Sequence, residues 1–595
     1  MGTLKFKSLC PNNLFNTPSC PILPIAMSDV SPSDAASSPI TPKREKLNFA
    51  TKLAYGAGDM GPAITANVLV FFLLYFFTNV AGLPAGLASW ILAIGKVSDA
   101  INDPITGILS DRTRSRWGRR LPWILFGAIP FGILFFLQWI VPRFSDNEAT
   151  NTWWLFIYYL LIAILFNLAY TAVNLPYTAL TPELTQDYNE RTSLNSFRFS
   201  FSIGGSILSL ILAGVIFSAY PNEPGKQYLV LGFLCTLLSV LPIFWCVLVI
   251  QERGAQPILS NPLKKGFGTF LSIVGALTVG YGIIRIIPIT SQWLGGTGKA
   301  DLTSIAAILF GLLITIFGLT LLFYSPEPHL SDRNAVSERS QVNTAPSLPF
   351  LEQLKIVFRN KPFLFVISIY LCSWLAVQLT ATILIYFVVS WMGLSDAMFT
   401  TVALAVQGTA LVMLFFWRIV SERLGKKAVY FMGCSLWIIA QGGLFFLQPG
   451  QVTLMYCMAI LAGFGVSVAY LIPWSMVPDV IELDELTTGQ RREGIFYGFM
   501  VLLQKIGLAL ALLLVGQALD MAGFIKSVPG QPVPIQPDSA LLAIRIAVGP
   551  LPTIALIGGL VLAYFYPITR EYHAEIRLKL LERKSAQSVN SQDYL

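Results

Sequence analysis

Apolar stretches of about 20 residues recur along the whole chain, and that recurrence leaves few folds open to it. A helix of this length crosses the hydrocarbon core of a bilayer. Within lipid only helices and closed barrels satisfy every backbone N–H and C=O. Fourteen such runs can be counted, near 54–80, 86–110, 121–142, 153–178, 197–219, 227–250, 266–288, 302–324, 363–392, 398–420, 428–447, 452–477, 493–521 and 541–567. Charged residues are 12% of the 595, about half of what a water-soluble domain carries. The chain therefore reads as an all-α protein that crosses the membrane many times.

The charges that remain are placed unevenly. Arg112, Arg114, Arg116, Arg119 and Arg120 crowd one turn, and Arg418, Arg423, Lys426 and Lys427 crowd another. Arg191, Arg491 and Arg492 fall in turns on the same side, whereas 81–85 has no base and 143–152 has only Arg143. The excess of Lys and Arg marks the cytoplasmic side, so both termini are expected there. The net charge of +8 is then a topology signal, and no separate basic stripe speaks for nucleic acid. The seven cysteines are scattered without metal spacing, and the two histidines, His329 and His573, lie in polar segments. No disulfide, His-based metal centre or catalytic triad is expected, and the chain does not read as an enzyme. Residues 1–50 are rich in Ser, Pro, Asn and Asp, the composition of a disordered tail without a secretory signal. Met27 is an alternative start.

The second run breaks the apolar rule. Lys96, Asp99 and Asp103 sit near the middle of Ala88–Ser110, with Asn102 and Pro104 beside them. Ionisable groups at that depth are costly and mark a pathway or a binding site. Asp99, Asn102 and Asp103 are spaced i, i+3, i+4, so they share one helix face. Two carboxylates this close repel unless a positive charge lies between them, and the face reads as a cation site. The competing reading is a Lys96–Asp99 pair with Asp103 bonded to a neighbouring helix.

The chain also repeats itself. Asp111-Arg112 leads to Gly118-Arg119-Arg120, and Glu422-Arg423 leads to Gly425-Lys426-Lys427. Pro182-Glu183 is echoed by Pro478-Asp479, again about 300 residues later. Each repeat would be six spans, as in transporters built of two parallel halves around a midplane site. The two spare runs form an inserted hairpin. The expected organisation is a tail (1–50), a first six-helix half (51–252), a transmembrane hairpin (265–325), a cytoplasmic linker (326–350), a second half (351–570) and a cytoplasmic tail (571–595). Asp111, Arg112, Arg116, Arg119, Glu422 and Arg423 are candidate gating residues, because ion pairs at helix ends can lock one conformation.

These motifs resemble a known family. Lys52-Leu-Ala-Tyr-Gly-Ala-Gly58, Asp99-Ala-Ile-Asn102-Asp103-Pro104, Asp111 to Gly118, and Pro473-Trp474 to Glu485 with Arg491 to Tyr497 are similar to the glycoside–pentoside–hexuronide:cation symporters. That family is a branch of the major facilitator superfamily. The resemblance implies sodium, lithium or proton coupling at Asp99 and Asp103, with Asn102 adjoining and Thr171 matching a threonine of the cation site. Four oxygen donors of this kind suit a small hard cation. Where the resemblance implies sugar-binding acids, this chain has Ala63 and Asn174. Lys96, Arg198 and Lys505 could meet an anionic substrate, or could pair with Asp59, Asp99 and Asp103. Tyr170, Tyr177 and Trp474 could stack on a sugar ring or simply pack.

The expected protein is a secondary active transporter with a major facilitator fold, coupling a cation to uptake of a sugar or glycoside. It would have no cofactor beyond the cation, and would be a monomer in the bacterial inner membrane. The vertebrate lysophospholipid symporters share the implied fold and cation site, so a lysophospholipid or other amphiphile is the alternative substrate. From another class, a non-transporting membrane sensor or scaffold stays open.

Overall fold

The structure, a computed structural model, describes residues 46–185, 188–221, 223–252, 255–293, 302–323, 350–489, 493–526 and 534–592. Most of the expected N-terminal tail and the 326–350 linker, as well as Arg491 and Arg492, lie outside these residues.

Among the described residues all regular structure is helical. The first span is α1 (Phe49–Ala57), α2 (Met60–Val68) and α3 (Leu74–Asn79), joined through a π-helical turn at Leu69–Leu73. Next come α4 (Ala85–Arg112), α5 (Leu121–Leu137), α6 (Glu148–Thr178), the short α7 (Thr181–Leu184), α8 (Tyr188–Ala219) and α9 (Pro224–Val249). The hairpin is α10 (Asn261–Trp293) and α11 (Leu302–Leu322). The second half has α12 (Phe350–Arg359), α13 (Lys361–Tyr386), α14 (Asp396–Leu424), α15 (Lys426–Phe446) and α16 (Val452–Thr488). It ends with α17 (Glu493–Met521), α18 (Asp538–Val548), α19 (Pro550–Phe565) and α20 (Arg570–Gln592).

Among the described residues, twelve helices are long and apolar enough to cross a membrane. Two of the expected fourteen runs fall short for separate reasons. α5 has 17 residues, and α4 carries Lys96, Asp99 and Asp103 in its interior. Both pack on neighbouring spans, α4 against α6 and α17, and α5 against α6 and α9. A second π-helical turn, Phe387–Trp391, continues α13. It sits in the first span of the second half as Leu69–Leu73 does in the first, so the repeat extends to local backbone geometry.

The hairpin packs on the first half, where α11 touches α1, α8 and α9. Its two helices approach so closely that a Cβ on Gly275 would lie 2.7 Å from the Gly311 carbonyl oxygen, the small-residue contact that membrane helices favour. Trp245 fixes the hairpin to α9 by donating to Thr320 Oγ1 at 2.7 Å and stacking on Phe317.

The apolar core is lopsided. One cluster runs through the first half and takes in Leu379–Met392, Phe399, Leu444 and Leu519 from the second. Those residues belong to the ends of the second-half helices remote from the basic turns. At the basic end the second half has a core of its own, including Val357, Phe363, Val480 and Ile568. Among the described residues, the halves thus share an apolar cluster at the end remote from the basic turns. The 571–595 tail forms most of α20, which buries Ile576 and Leu580 against α16.

Candidate functional site

α4 brings three of the expected residues to one place, and two other helices complete it. Asp99 is 1% exposed and faces α6, where the Thr171 hydroxyl lies 2.7 Å from Asp99 Oδ1 and 3.1 Å from Asp103 Oδ1. From α17, Lys505 reaches across the interface between the halves. Its Nζ is 2.6 Å from Asp103 Oδ2 and 3.1 Å from Asp99 Oδ1. One ammonium therefore bridges two carboxylates. The Asp103 side chain is 24% exposed against 2% for Asp99, so Asp103 is the accessible member. Pro104 in α4 has no N–H to give the Ala100 carbonyl, which frees a further oxygen within a turn of both acids.

Lys96 does not join this triad. It donates to Asn167 Oδ1 at 3.0 Å and lies 5.9 Å from the Tyr170 ring centre. Asn167 was not singled out from the sequence, although it shares a face of α6 with Thr171 and Asn174. Arg198 pairs with Asp59 at 3.3 Å and lies over the Tyr177 ring. Asn102 and Asn174 are half-buried. Trp474 stacks on Tyr497 and meets Tyr370 edge-on.

The repeated motifs pair with each other. In the first half, Arg119 and Arg120 both hold Glu183 Oε1, at 2.8 and 2.7 Å, and Arg120 also reaches Asp111 at 3.4 Å. In the second, Lys426 holds both oxygens of Asp479 at 2.7 Å. In each repeat the basic pair thus supplies a grip on the acid that follows its proline, through both arginines in the first and through Lys426 alone in the second, where Lys427 donates to the Tyr564 carbonyl. His573 of α20 joins the second cluster, 3.3 Å from Asp479 and 2.9 Å from Glu482. Glu422 pairs at 3.5 Å with Arg418 on its own exposed helix face, and the Arg423 carbonyl accepts from Arg570. Arg116 lies over Trp117.

Glu252, which no local pattern reveals, accepts the backbone N–H groups of Arg119, Arg120 and Leu121 at 2.9, 2.8 and 2.7 Å. It satisfies donors that the start of α5 would otherwise leave open. Burial pushes its carboxyl up from the usual range, against the pull of these donors.

Residues 54–265 and 263–570 match the family described as MFS/sugar transport protein. The chain belongs to this family. It is 59% identical over 540 residues to an uncharacterized symporter of Synechocystis sp., covering 91% of this chain and 98% of that protein. It is 26% identical over 553 residues to sodium-dependent lysophosphatidylcholine symporter 1 of Gallus gallus, covering 92% of each. Among solved structures, a bacterial homologue of the human drug peptide transporters PepT1 and PepT2 superposes with a TM-score of 0.52 at 11% identity, over 88% of this chain and 99% of that one. This last likeness shows the fold alone. The protein is a multi-pass membrane protein with the major facilitator fold.

Proposed function

We propose that the protein is a cation-coupled symporter that works by alternating access. The observation that carries this reading is the Lys505 ammonium held between Asp99 and Asp103, with Thr171 donating into the same gap. A small cation entering there takes the place of the ammonium among hard oxygen donors. The cation and Lys505 exclude each other, and Lys505 belongs to the opposite half. Cation binding therefore changes the tie between the halves, which is what coupling requires. The basic end is taken as cytoplasmic, in the plasma membrane of a bacterium.

For the substrate we infer an amphiphile with a charged head, of the lysophospholipid kind. Ala63 and Asn174 stand where sugar-gripping acids would be expected, and the Gallus gallus relative matches over nearly its full length. The second reading, a sugar or glycoside, is favoured by the family description.

The test is uptake into proteoliposomes driven by a sodium gradient, with albumin extraction to remove lipid bound only to the surface. A lysophosphatidylcholine, a glucuronide and a neutral glycoside are compared. Gradient-dependent uptake of the lysophosphatidylcholine alone is expected, and Asp103→Asn should abolish it in a folded protein. Undiminished uptake by that variant would overturn the cation site; uptake of a glycoside alone would overturn the substrate.

A further inference from the structure

Three arginines and a cleft lie together on the bilayer-facing surface of α5 and α6, away from the Lys505 site. The cleft has a volume of about 320 Å³ and is lined by Pro122, Trp123, Phe126, Gly127 and Ala172. None of these side chains offers an acceptor, and an apolar cleft of this kind does not hold ordered water. Phe126 is 62% exposed, and Ile129 and Ile133 continue the same outward face along α5. The cleft is therefore open to lipid chains.

Its basic-end rim is the turn 112–119. Trp123 is tied to that turn by donating to Thr113 Oγ1 at 2.8 Å. Phe126 touches Trp117, with ring centres 6.4 Å apart, and the Arg116 guanidinium lies over Trp117 at 4.8 Å. The acids of the region are already committed: Asp111 to Arg120, Glu183 to Arg119 and Arg120, and Glu252 to three backbone N–H groups. Arg112, Arg114 and Arg116 are exposed, and among the described residues none of them meets a carboxylate within an ion-pair distance. The turn thus keeps uncompensated positive charge at the end of the apolar cleft.

We propose that this surface binds an anionic phospholipid, with one acyl chain in the α5–α6 cleft and the headgroup phosphate on Arg112, Arg114 and Arg116. Charge selects the headgroup and the cleft selects for a chain. A soluble phosphate would satisfy only the first, and a zwitterionic lipid only the second. Each basic residue at a membrane surface favours anionic lipid about fivefold, so three acting independently give a preference of roughly a hundredfold, and about tenfold is its lower bound.

The test is native mass spectrometry of the delipidated full chain, titrated with phosphatidylglycerol or with phosphatidylcholine of the same acyl chains. Phosphatidylglycerol should be retained at least about tenfold more tightly. Replacing the three arginines together (R112Q, R114Q, R116Q) should erase that difference, while R112K, R114K and R116K should keep most of it. Ala172→Trp, which fills the cleft, should lower retention of both lipids with the arginines intact. Should the triple glutamine variant fail to fold, Arg114→Gln alone should still lower the preference about fivefold. An unchanged preference in the glutamine variants, or unchanged retention in Ala172→Trp, would overturn the proposal. The readout is lipid retention, so it stands or falls apart from the transport reading.

Discussion

At the scale of single residues the cluster on α4 sets a clear electrostatic problem. Asp99 and Asp103 cannot both stay ionised at close range in a poorly solvated site without a counter-charge, and Lys505 supplies it. Removing one partner of a buried pair typically costs about 3–5 kcal/mol, because the remaining charge is left unpaired. Partial exposure of Lys505 and Asp103 brings the expected loss to the lower end of that range. Lys505→Gln should therefore lower the thermal midpoint of the sodium-free protein by several degrees. Sodium should restore much of it, since the cation then supplies the missing charge. Scanning fluorimetry with sodium chloride against choline chloride checks this. A variant as stable as the parent, or one indifferent to sodium, would argue against a shared site. Asp99 and Asp103 were legible in the sequence because their charge conflicts with the depth at which they lie, whereas Thr171 was reachable only through the family resemblance. For Lys505 the sequence leaves two roles open, pairing with these acids or meeting an anionic substrate, and the structure shows the pairing. The bridge joins residues about 400 positions apart in the chain, and only helix packing decides whether that lysine meets the acids or the substrate.

At the scale of an element, the start of α5 shows how one backbone conformation holds a lock together. Gly118 has a φ of +106°, a region that residues with a Cβ rarely adopt. A Cβ there would also fall 2.3 Å from the Glu252 carboxyl carbon. Gly118→Ala should therefore cost more than about 1 kcal/mol and disturb the cradle of N–H groups around Glu252. A lower thermal midpoint is expected, with faster proteolysis in the 112–120 turn; an unchanged midpoint would show that the turn relaxes without loss. The repeated Gly, basic pair and acid pointed to this turn, and Glu183 and Asp479 stood in the quoted repeats. Glu252 did not, because a carboxylate that caps a helix from 131 residues away leaves no local pattern. Helix α20 was read as a tail for a similar reason. Its sequence, REYHAEIRLKLLERKSAQSVNSQ, is too polar for a span, and its contact face is only a few residues wide.

At the scale of the whole molecule, the contacts between halves are unevenly spread. Away from the basic end, Thr78 and Tyr386 share a hydrogen bond at 2.8 Å, Phe71 and Phe72 pack on Phe399, and Lys526 meets Glu148 at 2.9 Å. Nearer the middle, Gln407 donates to Asn67 at 2.9 Å, and Lys505 reaches α4. The hydrogen bonds and ion pairs seen to join the halves lie between that remote end and Lys505, in step with the shared apolar core. This is the pattern of a transporter held closed at the end remote from its basic turns. Alternating access requires the remote contacts to break. A buried hydrogen bond contributes about 0.5–1.5 kcal/mol, which moves a two-state equilibrium by roughly two- to tenfold. Losing the Thr78–Tyr386 bond from both partners, with Thr78→Val and Tyr386→Phe, should shift the population toward the state open at the remote end without leaving an orphaned donor. A cysteine at Gly408, where a side chain meets open space, would report it in a background with Cys457→Ser. Labelling of right-side-out vesicles by a membrane-impermeant maleimide should quicken by that factor relative to the Gly408→Cys parent. Sodium should alter the rate in the parent but not when Asp103→Asn is added. Equal labelling rates with and without the gate substitutions would mean that the remote hydrogen bond does not govern opening, and that the apolar contacts of Phe71, Phe72 and Phe399 hold that side closed by themselves.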